Sequence, residues 1–327
     1  AVVSFTKIKG IMYLPEPEQR SLVTTFRSCD DVWEMHGHSN VVIQANGLQS
    51  NCQVDAKGGA LSPAYLTVDF ELDSISCSHG NKVEIDAAGG DTTVRITRGS
   101  GGEFEIVCGS KFDTFNIYMS QCDDEVIIGS TPENAVVVSI QGGLGNDVVT
   151  IGSVSSGLDN VHGTVNSDGG VDGSDTIIVT DEGSSNTTDR SQEVTSRILK
   201  GILEKDAGYS EFEIVNLKVT QGKSKLTVLS TLPGSSTEIY NGDSNDEIMV
   251  QTTQGDLKLV SGGGSDTIVV DNTEGNLILE SEDGNDNITI NTVQGNLNVS
   301  SGSGADIITI TTIEGDGLVN SGIDGDF

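Results

Sequence analysis

Between residues 241 and 320 the apolar residues fall into short alternating runs separated by Gly, Asp and Asn. One series is Ile248/Val250, Ile268/Val270, Ile288/Ile290 and Ile308/Ile310, and the other is Leu257/Leu259, Leu277/Leu279 and Leu297/Val299. Alternation with period two, in runs this short and bounded by turn-forming residues, predicts strand, turn, strand, turn. The pattern repeats without gaps every twenty residues, from NGDSNDEIMVQTTQGDLKLVS through GGGSDTIVVDNTEGNLILES and EDGNDNITINTVQGNLNVSS to GSGADIITITTIEGDGLVNS. Asp246, Asp266, Asp286, Asp306 and Asp326 share one register, and Gly255, Gly275, Gly295 and Gly315 share another. One repeat is therefore one coil with two strands.

A weaker form of the same beat runs upstream, with apolar strand centres at Ile85, Ile96, Ile106, Ile117, Ile128, Val138 and Val149, ten or eleven residues apart. Two such steps make a coil of about twenty-one. The expected fold is all-β, a right-handed parallel β-helix or β-roll solenoid of about 20–21 residues per coil. Strand-like segments at 41–45 and 65–72 carry it further back with uneven spacing. The expected organisation is an irregular, Cys-bearing start at 1–82, degenerate coils at 83–180, an insertion at 181–210 and regular coils at 211–327. The insertion lacks alternation, carries Arg190, Arg197, Lys200 and Lys205, and shows a short helical pattern around 194–203. The chain stops in mid-coil at Phe327, so the solenoid is expected to continue beyond it.

Composition fits a thin core of Val, Ile and Leu, since 41 residues are Gly and only 4% are aromatic. A net charge of −32 argues against nucleic-acid binding, which needs Lys and Arg on the phosphates, and against adsorption to anionic lipid. No apolar run approaches the ~18 residues of a membrane-spanning helix, so no membrane insertion is expected in this segment. Cys29, Cys52, Cys77, Cys108 and Cys122 show no CxxC spacing, which disfavours zinc and is compatible with disulfides in an oxidising compartment. Their pairing is open, with a bridge between successive early coils among the candidates. Asn186, Asn287 and Asn298 each open an Asn-x-Ser/Thr sequon and are candidate glycosylation sites. An extracellular or cell-surface location is expected.

Candidate chemistry centres on Gly-rich turns that end in Asp and feed a strand: GGLGNDVVTI, NGDSNDEIMV, GGGSDTIVV, EDGNDNITI, GSGADIITI and the longer GGVDGSDTIIV. They place Asp147, Asp175, Asp246, Asp266, Asp286 and Asp306 at equivalent points. These segments resemble the GGxGxDxUx nonapeptide of haemolysin-type (RTX) calcium-binding proteins, whose parallel β-roll holds Ca²⁺ between neighbouring turns. The resemblance covers roughly 140–327 without the insertion. It implies Ca²⁺ as the cofactor and those six Asp as ligands. The chain departs from the pattern in its twenty-residue coil and in a second turn reading QGD, EGN, QGN or EGD.

Residues 231–327 hold seventeen Asp or Glu against one basic residue, Lys258. Specific Ca²⁺ binding, diffuse cation screening and Asp residues that cap their own turns are all compatible with this. At the other turn Asp256, Asn276, Asn296 and Asp316 suggest a stack of side chains along the coils.

No GxSxG, P-loop or HExxH motif is present, and Arg95, Arg98, His36, His38 and His79 have no carboxylate fixed near them by sequence. The chain is not expected to be an enzyme, with a polysaccharide lyase or epimerase as the outlying alternative. The coils also resemble long extracellular tandem-repeat proteins. That likeness implies a structural subunit or stalk of a filament or cell-surface fibre, such as a flagellar hair, with itself, other subunits or glycans as partners. The alternative is a calcium-dependent adhesin or binding module.

Overall fold

The structure is a computed structural model. It describes residues 10–13, 21–25, 33–36, 39–44, 52–56, 66–71, 81–86, 92–98, 102–108, 114–119, 122–131, 137–184, 189–219 and 222–322, with side chains from residue 116 onward. The fold is an all-β parallel solenoid, and no helix occurs among the described residues. None of them forms a helix long and apolar enough to cross a membrane. Two units divide the chain. One comprises Ala1–Gly152 with Asn160–Asp175, the other Ser153–Asp159 with Thr176–Phe327.

In the C-terminal unit the repeat is realised as a stack. Strands Glu247–Thr253, Thr267–Thr273, Asn287–Val293 and Ile307–Ile313 pair in parallel, each in register with the residue twenty positions on. Strands Ser236–Tyr240, Asp256–Val260, Leu277–Glu280, Leu297–Ser300 and Gly317–Asn320 do the same on the opposite face of the coil. Because the register equals the sequence period, each inward side chain lies over its own equivalent. Ile248, Val250, Ile268, Val270, Ile288 and Ile290 meet Leu257, Leu259, Leu277, Leu279, Leu297 and Val299, and none is more than 2% exposed. A slip of one residue would turn every one of them to solvent.

Earlier coils of this unit are longer. Ile214–Lys218 and Ser236–Tyr240 pair with a step of 22, and Arg190–Val194 and Ser224–Val228 with a step of 34. The extra residues of the latter step form antiparallel strands, Ile198–Lys200 on Arg190–Val194 and Ala207–Ser210 on Ile198–Lys200. The helical pattern expected near 194–203 is therefore not a helix. The Thr195 hydroxyl accepts from the N–H groups of Arg197 and Ile198, at 3.2 and 2.9 Å, and turns the chain there. Ile198 is 38% exposed while Leu199 is buried, which is the alternation of a strand.

In the N-terminal unit, Ser21–Thr25, Ser39–Gln44, Leu66–Glu71, Thr114–Tyr118, Val137–Gln141 and Thr164–Asp168 pair in parallel. A second sheet joins Val148–Ile151, Glu125–Ile128 and Asn81–Asp86 in parallel. There the ten-residue beat misleads. Asn81–Asp86, Thr92–Arg98 and Gly102–Cys108 form an antiparallel meander, in which Ile85 faces Val94 and Val94 faces Ile106. Three successive beats thus lie in one sheet instead of alternating between two. Alternation reports a strand but not its direction, and the short Gly-bearing connections DAAGGD and RGSGG permit reversal.

Glycine is needed where coils touch through their backbones. Gly284 sits at φ 155°, and a Cβ there would fall 1.6 Å from the Gly264 carbonyl oxygen. Gly234 has φ 75° and open space around it. Gly284→Ala is expected to lower unfolding stability by about 3 kcal/mol through forced separation of coils. Gly234→Ala costs only the left-handed conformation, about 1 kcal/mol. Urea melts of the two variants check the order.

Candidate functional site

The Asp residues of the Gly-rich turns stand immediately before their strands and form a buried column. In the C-terminal unit Asp246, Asp266, Asp286 and Asp306 are at most 3% exposed. Their partner is the main chain of the neighbouring coil. Asp266 Oδ1 accepts from the Asp246 N–H at 2.9 Å, Asp286 Oδ1 from Asp266 at 2.8 Å and Asp306 Oδ1 from Asp286 at 2.9 Å. The column begins on Ser224, whose N–H reaches Asp246 Oδ1 at 2.6 Å. In the other direction the carbonyls of Asp246, Asp266 and Asp286 accept from Thr267, Asn287 and Ile307. Each N–H would otherwise be an unsatisfied donor at a buried strand start. The carboxylate replaces the missing ladder acceptor.

The N-terminal unit contains the same device. Asp147 Oδ1 accepts from the Asp124 N–H at 2.8 Å, and Asp175 Oδ1 from the Asp147 N–H at 2.7 Å. Asp124 was missed in the sequence because QCDDEVII has no Gly-rich turn. Its signal was an Asp directly before an alternating run, as at Asp147. Asp181 was missed too. It lies in the C-terminal unit, accepts from the Leu158 N–H at 3.0 Å and pairs with Arg190 at 3.2 Å.

The second carboxylate oxygens differ along the column. Asn241 Nδ2 donates to Asp246 Oδ2 at 2.7 Å. One and two coils on, the same position is Ser261 and Ser281. Their hydroxyls lie beside Asp266 and Asp286 but give their single protons to the carbonyls of Ser281 and Ser301, at 3.4 and 2.9 Å. Oδ2 of Asp266 and of Asp286 is thus buried without a well-placed donor. Burial is the main reason these carboxyls hold protons more tightly than usual. Asp147, Asp246 and Asp266 are pushed up to about 6, and Asp286 is also raised. Neighbouring Asp charges add to the rise at Asp147, Asp266 and Asp286, and main-chain N–H groups oppose it. Burial also raises Asp181, despite Arg190.

Exposed turn residues form a second ladder of opposite sense. Asn245 Oδ1 accepts from the Ser265 N–H at 2.7 Å, and Asn285 Oδ1 from the Ala305 N–H at 2.8 Å. At the other corner Asp256, Asn276 and Asn296 accept from the N–H groups of Asn276, Asn296 and Asp316, at 2.8 to 2.9 Å. Both edges are stitched by short side chains bonding to the next coil's backbone.

Ca²⁺ takes six to eight oxygens. In the inward Asp column Oδ1 of Asp266, Asp286 and Asp306 each accepts a main-chain N–H of the preceding coil. No cluster of three or more His, Cys, Asp or Glu side chains suited to a metal is found among the described residues. Of the other candidate residues, Asn287 and Asn298 are exposed on strands Asn287–Val293 and Leu297–Ser300, while Asn186 lies outside the described residues. Cys122 is disulfide-bonded. Cys52 and Cys108 lie on strands Cys52–Ala56 and Gly102–Cys108, which pair in parallel with Cys108 opposite Ala56. Cys29 and Cys77 are outside the described residues. Arg95 stands in register with Glu84 and Glu105 in the meander, with Arg98 at its strand's end. His36 ends strand Trp33–His36, whereas His38 and His79 are outside the described residues. No family model, curated protein or solved structure matches the chain.

Proposed function

We propose that the chain is a non-catalytic structural segment of an extracellular or cell-surface filament, serving as a subunit or stalk. The observation that supports this reading is that from Ser236 onward every layer of the C-terminal unit repeats with one translation. The apolar core, the Asp column, the Ser column and the Asn/Asp corner all advance by twenty residues per coil. Such a stack adds stability coil by coil through nearest-neighbour contacts, which suits an element whose task is length. The acidic surface keeps neighbouring copies apart unless a specific contact joins them. Exposed Asn287 and Asn298 are accessible to glycan transfer in a secretory pathway. Antibody labelling of intact cells is expected to reach the chain, and labelling only after permeabilisation would remove this reading.

A calcium-dependent adhesin is the second reading, favoured by the donor-less Oδ2 atoms of Asp266 and Asp286. EDTA separates the two. With the carboxylates held by main-chain N–H groups, chelation is expected to leave the thermal midpoint unchanged, whereas a midpoint that falls in EDTA and returns with added Ca²⁺ establishes the adhesin.

A further inference from the structure

The C-terminal unit carries a hollow of about 550 Å³ lined by Glu182, Asn216, Lys218, Val219, Tyr240 and Asn241. Parallel strands Ile214–Lys218 and Ser236–Tyr240 build it, with Lys218 opposite Tyr240 in register, so ammonium stem and aromatic ring start about 4.8 Å apart. The Lys218 ammonium donates to Glu182 Oε2 at 2.9 Å, and these side chains are 42% and 52% exposed. Val219 supplies buried apolar surface. The Tyr240 hydroxyl donates to Glu238 Oε2 at 2.9 Å, and Lys258 Nζ stands 5.6 Å from the ring centroid, so the ring is held from two directions. Asn241 is oriented by its two N–H bonds, to Asp246 Oδ2 and to Ser224 Oγ at 2.8 Å. The amide oxygens of Asn216 and Asn241 are buried beneath the hollow and do not open into it.

This place departs from the repeat. One coil on, Tyr240 is replaced by Val260 and Asn241 by Ser261, so the ring and the amide occur together here and are not carried through the stack. The step between coils is also 22 here instead of twenty.

The chemistry of the lining selects its occupant. An apolar ligand would strip water from the Lys218–Glu182 pair without replacing its hydrogen bonds. An anion meets Glu182 and the field of a chain with net charge −32, and a cation meets Lys218. A neutral polyhydroxylated ring suits the groups that the hollow exposes. Its C–H face packs on the tyrosine, and its hydroxyls both donate and accept. They can therefore serve the Glu182 carboxylate and the Lys218 ammonium together. We propose that the hollow is a binding subsite for a neutral hexopyranose unit of a glycan. It stands independently of the stalk reading.

Affinity electrophoresis of the full chain tests it, in gels containing dextran, mannan, laminarin or galactan, with alginate as the acidic comparison. At least one neutral polysaccharide retards the chain and alginate does not. Tyr240→Ala weakens that retardation at least tenfold, Tyr240→Phe keeps it, and Lys218→Ala, at an exposed position that cannot unfold the stack, weakens it severalfold. Circular dichroism confirms that each variant is folded. Absence of retardation in all four neutral gels, equal retardation by alginate, or a folded Tyr240→Ala and Lys218→Ala that both migrate as the parent would overturn the assignment.

Discussion

Asp286→Ala lowers the unfolding midpoint of the C-terminal unit, whereas Asp286→Asn at pH 8 leaves it equal to or above that of the parent. The alanine removes the acceptor of the buried Asp266 N–H, and an orphaned buried donor costs roughly 1–3 kcal/mol. At about 2–4 °C per kcal/mol for a unit of this size, the loss is several degrees. Asparagine keeps an oxygen in the Oδ1 position. It also replaces a buried charge by a neutral amide, whose N–H group can donate to the Ser281 hydroxyl oxygen beside it. The pair separates two roles that a carboxylate combines, since a purely electrostatic role would make both variants stabilising at pH 8. Thermal melts followed by far-ultraviolet circular dichroism give the readout.

The chain is expected to be more stable at pH 4.5 than at pH 7.5. Asp147, Asp246 and Asp266 have folded values of about 6 against 3.8 for the free group, so the folded state binds more protons between those limits. The stabilisation is fully present below about 3.8 and is lost as pH rises through 6. Asp286 and Asp181 shift in the same direction. Each of the three sites near 6 contributes roughly 2–4 kcal/mol across the window. Relief of general repulsion in a chain of net charge −32 acts the same way, so a control is needed. Asp246→Asn/Asp266→Asn/Asp286→Asn leaves most of the surface charge in place and is expected to flatten the slope between pH 4.5 and 7.5. An unchanged slope would assign the effect to the surface instead.

The apolar ladder was legible because its signal and its cause coincide. Ile268 and Ile288 are buried for the same reason that they recur at twenty residues, and a parallel register equal to the period follows directly. The Asp column was legible in position but not in role. A Gly-rich turn ending in Asp is compatible with a metal ligand or with a main-chain acceptor, and the acceptor role appears only once Oδ1 is placed against the previous coil's N–H. Asp124 escaped notice because its turn lacks glycine, and Asp181 because its partners Leu158 and Arg190 are distant in sequence. Strand direction was not legible at all around Ile85, Ile96 and Ile106, since alternation is identical in parallel and antiparallel strands. The helical pattern near Leu199 arose from apolar residues spaced by a turn, which Thr195 makes with its own hydroxyl.

The central claim is that coil is joined to coil through a carboxylate accepting a main-chain N–H. Hydrogen exchange of the Asp266 amide, read residue by residue by NMR, tests it most directly. That amide is expected to be strongly protected in the parent and in Asp286→Asn, and to lose protection in Asp286→Ala while the amides of Ile268 and Val270 keep theirs. A fast-exchanging Asp266 amide in the parent, or one equally protected in Asp286→Ala, would contradict the account.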